Sequence, residues 1–371
     1  MIQTDRNKKF KVEPIKGDKI DKGNFSLTLI DKATNKVIHV EENFTDAVEF
    51  NTTYYRDLFM LFTDEDTGQN YHIENSPLVN VSIEVHSRAL GDQLAWMPIV
   101  DLFQKKHECT VIVNCYFTEL FEPFYPNLIF RKISDDSIIK AITDYEISAT
   151  YILGYSVSGK KNTTDGSILS PVDCRITNLQ DVAKHQLGLQ DVKEEVKPKM
   201  FSNIKEPIIK GKYVCITTMA TAQFKLWNNP KGYPELIKYF KSKGYNVVDV
   251  GNVSDNLKGT IVKSGYLEWN ELMNIIENAE LFVSGANGLQ WLAWAVGQKV
   301  LTINGSTDPK TLFKHTQVID TNLCNSCFND SNIVYDNTDV KFCPRKKNFE
   351  CTRLITSETV IEAIEKNNLL K

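Results

Sequence analysis

No run in this 371-residue sequence approaches the roughly 18 consecutive apolar residues that a membrane-spanning helix needs. The opening stretch, Met1 to Phe10, is polar and contains lysine, with no apolar segment behind it. Neither a secretory signal nor a lipid anchor is visible there, and a cytoplasmic protein is expected. Charge of one sign is lacking too: 43 basic against 47 acidic residues leave a formal charge of -4, which gives no overall pull toward nucleic acid or an anionic membrane. Low-complexity segments and internal repeats are absent, and hydrophobic and charged shares of 42% and 24% are those of an ordinary globular chain. The length suits two or three folding units.

What is present is cysteine, eight in all. Without an export signal these are expected to stay reduced. Cys109, Cys115, Cys174 and Cys215 are scattered, and the first, second and fourth sit in apolar, strand-like runs that suit buried thiols. The other four cluster: Cys324 and Cys327 have CxxC spacing, and Cys343 and Cys351 complete CxxC-x15-C-x7-C. Four thiolates close a tetrahedral metal shell with no position for water or substrate, which points to a structural site. Zinc is the default metal for such a set and iron suits it equally, while a redox CxxC is the lesser alternative.

Alternating apolar and polar residues between Phe25 and Ile83, broken by turns at Asp31 to Asn35 and Asp64 to Gly68, predict a small antiparallel β module. After Val79 the grammar changes to strand, helix, strand. The continuous apolar run CTVIVNCYF suits a strand buried on both faces of a parallel sheet. A lysine- and glutamate-rich stretch from Asp181 to Ile208 suggests a linker or an exposed helix with its tail. A second βα series then follows. The expected organisation is a β module over 1–78, a Rossmann-like lobe over 79–205, and a second Rossmann-like lobe over 206–371 that carries the cysteine finger at 322–353.

In open α/β sheets chemistry gathers at the carboxyl ends of strands, and three segments qualify. Gly91-Asp92 follows the first long strand and precedes a helix expected to start near Leu94. Asp92 is there either a general base or a helix cap. Ser284 to Leu289 is a small-residue turn before the helix QWLAWAVG, fit for phosphate or for no ligand at all. Thr217 to Thr221, followed by Lys225 and Trp227, offers hydroxyls and one lysine to a phosphate, or is a polar loop whose tryptophan packs.

Taken together, four segments resemble the bacterial autotransporter heptosyltransferases, relatives of the lipopolysaccharide heptosyltransferases with the GT-B architecture. They are GDQLAWMP (Gly91 to Pro98), KLWNNPKGYPELIKYFKSKGYNVVDVG (Lys225 to Gly251), NGLQWLAWAVGQKV (Asn287 to Val300) and the cysteine segment. The resemblance covers about residues 25 to 365. It implies an α/β GT-B fold and inverting transfer of a heptose from ADP-heptose to serine hydroxyls of a protein acceptor. It further implies Asp92 as general base, donor contacts from Thr217, Thr218, Lys225, Asn287, Gly288 and Leu289, and iron ahead of zinc on Cys324, Cys327, Cys343 and Cys351. Family members assemble into rings, so a homo-oligomer is expected. Relatives commonly carry Ser-Ser where this chain has Ala286-Asn287, and the lipopolysaccharide enzymes place a sugar-contacting aspartate near there. Ala286 cannot make that contact, which leaves another donor sugar, a lipid or polysaccharide acceptor, or a non-catalytic scaffold as alternatives.

Overall fold

A computed structural model describes residues 2–5, 9–12, 15–16, 19–20, 24–32, 34–44, 48–51, 54–74, 78–85, 87–133, 147–154, 172–173, 175–265, 267–330, 333 and 341–371. Cys174 lies outside them. The N-terminal part is built only of antiparallel pairs. Strands β1 (Ile2–Asp5) and β2 (Lys9–Val12) are followed by the hairpin β3 (Ile15–Lys16) and β4 (Lys19–Ile20). Next come β5 (Phe25–Asp31), β6 (Lys36–Phe44), β7 (Val48–Asn51), β8 (Leu58–Asp64) and β9 (Gln69–Glu74). One sheet runs β1-β2-β7 and another β6-β5-β8-β9. Every second residue of β5 and β8 is buried, so Leu27 and Leu29 face inward opposite Phe62 and Met60. The β8–β9 turn closes because Asp64 Oδ1 accepts from the amides of Asp66 and Thr67, and Gly68 takes φ +70°.

The first parallel sheet has the order β12-β11-β10-β13, from β10 (Asn80–Val85), β11 (Thr110–Cys115), β12 (Ile129–Lys132) and β13 (Ala149–Leu153). The predicted continuous burial of β11 is observed from Val111 onward. Helix α1 (Leu90–His107) crosses from β10 to β11, and the short α2 (Thr118–Phe121) follows β11. Helix α1 starts before the expected Leu94, so Gly91 and Asp92 lie inside its first turn.

The charged stretch after Asp181 is not an exposed helix. Helix α3 (Leu179–Gln186) buries Val182 and Ala183, and Lys184 is 2% exposed with its ammonium on Asp181 Oδ1 and the Glu194 carbonyl, each at 2.8 Å. Burying a lysine costs little when its donors are met this way; from Leu187 to Ile208 the stretch carries no helix.

The second parallel sheet has six strands in the order β16-β15-β14-β17-β18-β19. They are β14 (Tyr213–Thr217), β15 (Asn246–Gly251), β16 (Ile261–Ser264), β17 (Phe282–Gly285), β18 (Val300–Ile303) and β19 (Thr316–Val318). The helices are α4 (Gly232–Ser242), α5 (Trp269–Glu277), α6 (Gly288–Ala295), α7 (Glu350–Arg353) and α8 (Ser357–Lys366). Strand order reverses between β14 and β17, the switch point where open sheets leave a crevice.

Helices α1 and α6 bring the two sheets together. A Cβ on Gly91 would stand 2.6 Å from Trp291 Cδ1, and one on Gly288 would stand 3.1 Å from Leu90 Cβ. At Gly91 the Trp291 ring would have to shift to admit any side chain, and at Gly288 the fit would be tight. Among the described residues no helix is long and apolar enough to cross a membrane.

Candidate active site

A cavity of about 1030 Å³ opens where the two sheets face each other. Its wall includes Gly91 and Asp92 from α1, Thr217 from the end of β14, Lys225, and Gly288 with Gln290 from α6.

Asp92 does not cap α1. The N-cap position is Ala89, which has no side-chain oxygen to offer the first turn. Asp92 Oδ2 instead accepts from Ser87 Oγ at 2.5 Å. Ser87 is itself fixed: its Oγ accepts from the Ala89 amide at 3.1 Å, and its carbonyl accepts from Gln93 Nε2 at 2.7 Å. A carboxylate in the first turn of a helix also sits in the positive end of the helix dipole, which favours its ionised form. The helix-cap alternative for Asp92 is thereby set aside.

Lys225 is half-buried, and its ammonium lies 5.0 Å from the centroid of the Phe328 ring. Burial pushes its pKa below the ordinary lysine value, and the nearby charge of Asp92 acts in the opposite direction. The backbone of Lys225 is pinned as well, because a Cβ on Gly285 would come within 2.3 Å of the Lys225 carbonyl oxygen. Thr217 lines the cavity and its carbonyl accepts from the Tyr233 hydroxyl at 2.9 Å. Thr218 is buried and is not on the cavity wall, and its hydroxyl has no partner among the described residues.

At the start of α6, Asn287 is the N-cap. Its Oδ1 accepts from the amides of Leu289 at 3.0 Å and Gln290 at 3.2 Å, while its Nδ2 donates to the Met219 carbonyl at 3.2 Å. The Leu289 amide expected to face a phosphate is therefore engaged by the cap. Gly288 reaches the cavity, and Ala286 brings no polar side chain to it.

The four clustered cysteines converge. Burial pushes the Cys351 thiol up to about 12, reinforced by Cys327, Cys324 and Cys343 nearby. Two sulfurs already accept hydrogen bonds, Cys324 from Arg345 Nη1 at 3.8 Å and Cys343 from the Lys347 amide at 3.3 Å. Such donors suit thiolates, so the residue types fit a metal shell. Among the described residues, however, no group of three or more ligating side chains stands in the arrangement of a metal site. The segment rests on the loop after β18, where the amides of Ser326 and Phe328 donate to the carbonyls of Gly305 and Ser306, both at 2.8 Å. Phe328 then extends from this base to the cavity wall beneath Lys225.

Ser87 and Gln290 are wall or support residues that sequence reasoning missed. A serine five positions before an aspartate carries no pattern of its own, and Gln290 was read only as part of a helix.

Known proteins resemble this chain in sequence and in fold. The family model "Glycosyltransferase family 9 (heptosyltransferase)" matches residues 175–333. The autotransporter heptosyltransferase BAHTCr of Citrobacter rodentium is 31% identical over 77% of this chain and 73% of its own length. The crystal structure of TibC from enterotoxigenic E. coli H10407, an iron-containing dodecameric glycosyltransferase, matches with a TM-score of 0.79 at 26% identity, covering 99% of this chain and 95% of that one. A second structure, of TibC in complex with ADP-D-beta-D-heptose, matches with a TM-score of 0.77 at 25% identity, covering 99% and 96%. The inactive autotransporter heptosyltransferase BimC of Burkholderia thailandensis is 27% identical over 76% of this chain and 68% of its own length, so activity has to be argued from the residues of the site. On these matches the α/β architecture is that of the GT-B heptosyltransferases, and the chain belongs to the autotransporter heptosyltransferases.

Proposed function

We propose that this protein is an inverting O-glycosyltransferase that moves a heptose from ADP-heptose to serine hydroxyls of a protein acceptor of the autotransporter kind. The observation that carries the reading is Asp92, held by Ser87 on one wall of a cavity whose other wall offers Lys225 and the start of α6. Asp92 takes the proton of the attacking serine hydroxyl as its oxygen bonds to the anomeric carbon. The bond from that carbon to the β-phosphate oxygen breaks, and ADP leaves with the electron pair. Lys225, Thr217 and the amide of Gly288 are the groups suited to the departing diphosphate, where negative charge develops. Attack opposite to departure inverts the anomeric centre. No covalent sugar intermediate is needed.

The same proposal assigns residues 79–205 to the acceptor side and 206–371 to the nucleotide side, with 1–78 as an accessory module, in a cytoplasmic homo-oligomer. Cys324, Cys327, Cys343 and Cys351 would hold one iron ion, which closes the finger without taking part in transfer. The iron-containing, dodecameric TibC supports both expectations.

Intact-mass spectrometry of a co-expressed acceptor tests the reading. Wild-type enzyme should add heptose masses, and Asp92→Asn should fold but lose transfer by about a hundredfold or more. Near wild-type transfer by purified Asp92→Asn would remove Asp92 from the base role. Ala286, which brings only a methyl group to the cavity wall, favours a second reading in which the sugar differs from heptose. A panel of ADP-, GDP- and UDP-sugars separates the two.

A further inference from the structure

We infer that Gln290 turns its side-chain oxygen, not its nitrogen, into the cavity and accepts a hydrogen bond from a hydroxyl of the sugar being transferred. The inference deepens the proposed function and rests on it for the identity of the ligand.

The argument begins away from the cavity. His315 Nδ1 lies 2.7 Å from the Phe313 carbonyl oxygen, and its Nε2 lies 2.8 Å from Thr302 Oγ1. Thr302 Oγ1 in turn meets the Gln290 side-chain amide, which as placed presents its Oε1 to that hydroxyl. A carbonyl only accepts, so Nδ1 carries a proton. Burial drives the His315 pKa down to about 4, against smaller opposing effects of the Phe313 carbonyl and Glu195, so the ring is neutral at physiological pH and has no second proton. Nε2 must therefore accept, and among the described residues the proton available to it is that of the Thr302 hydroxyl.

That hydroxyl has one proton. Once it is given to His315, Thr302 has only lone pairs left for Gln290. An amide oxygen turned toward Thr302 would set acceptor against acceptor; an NH₂ group turned there satisfies both. Which end of an amide is nitrogen follows from such hydrogen-bond logic. Gln290 is 1% exposed, yet it lines the cavity, and its other end has no partner among the described residues. The end left for the cavity is the oxygen.

An acceptor there cannot bind a phosphate oxygen. It fits a hydroxyl. Thr311, also on the wall, spends its hydroxyl proton on the Asp308 carbonyl at 2.7 Å, so it too offers lone pairs. Gln290 and Thr311 thus offer acceptors to the cavity wall, while Lys225 and the Gly288 amide offer donors. The acceptor serine is a rival source of the hydroxyl.

Calorimetry with ADP and with ADP-heptose on wild type and Gln290→Leu distinguishes these sources. The expected result is an ADP affinity within twofold of wild type, which also reports a folded variant, together with about tenfold weaker ADP-heptose binding, the size of one lost neutral hydrogen bond. An equal loss for both ligands, or an effect confined to the KM of the protein acceptor, overturns the inference. Nitrogen NMR of the unliganded wild-type protein supplies a readout independent of donor identity. His315 Nε2 should be the unprotonated ring nitrogen, and a proton there reverses the chain and overturns the inference. If wild type binds no ADP-heptose, the donor assignment falls, and the comparison is made between whichever nucleotide sugar it binds and the matching free nucleotide.

Discussion

Ser87 Oγ donates to Asp92 Oδ2 across 2.5 Å, and this contact ties the proposed base to the loop that precedes its own helix. Ser87 needs no substrate to be in place, since the Ala89 amide and Gln93 already hold it. Removing the hydroxyl should let the carboxylate rotate without changing what the substrate binds. Ser87→Ala is expected to lower kcat about tenfold with little change in KM, and Ser87→Thr to restore most of the loss. Steady-state kinetics on a working acceptor checks both. A matched rise in KM would mean that Ser87 binds substrate instead.

Lys225 should make nucleotide binding depend on pH. Burial lowers its pKa in the free protein, while a bound diphosphate favours the charged ammonium and raises it again. Binding therefore takes up a proton where the pH lies between the free-protein pKa and the raised pKa of the complex. ADP affinity should fall as pH rises through the interval between the two values, and Lys225→Met should flatten the profile. Calorimetry in buffers of different ionisation enthalpy measures the proton uptake directly.

Gly285 has no room for a methyl group. At 2.3 Å from the Lys225 carbonyl, a Cβ would meet backbone instead of a side chain that could swing away. Gly285→Ala is expected to cost about 1–3 kcal/mol of stability and to weaken ADP binding by displacing the Lys225 segment. Urea unfolding and calorimetry read the two effects separately.

Asn287 combines a cap with a tie to Met219. Asn287→Ala should lose about 1 kcal/mol, and Asn287→Ser should recover most of it as an alternative cap. Denaturant midpoints at constant slope are the measurement.

Metal content should follow the cysteines and not the cavity. Cys351→Ser is expected to lower bound iron, measured by elemental analysis, and to lower Tm. Asp92→Asn should leave both unchanged.

Much of this molecule could be read from the chain itself. Continuous apolar runs such as that of β11 announce strands buried on both faces, and glycine or threonine at the ends of β14, β15 and β17 marks the crevice. The start of α1 was harder, because Ala89 and Leu90 carry no cap signal and the helix is set by packing against Trp291. Thr218 and Leu289 show the same limit at single-residue scale. A threonine at a strand exit can face into the crevice or away from it, and a backbone amide can be taken by its own cap. The Gln290, Thr302 and His315 chain joins α6, β18 and the start of β19's approach, so no local pattern could reveal it.

The glycines between α1 and α6 set how closely the two halves approach. Gly91 lies against the Trp291 side chain, and Gly288 against Leu90 Cβ and the Gly91 backbone nitrogen. A side chain at Gly91 would have to displace the Trp291 ring or part α1 from α6, and with that move the wall that carries Asp92 away from the start of α6.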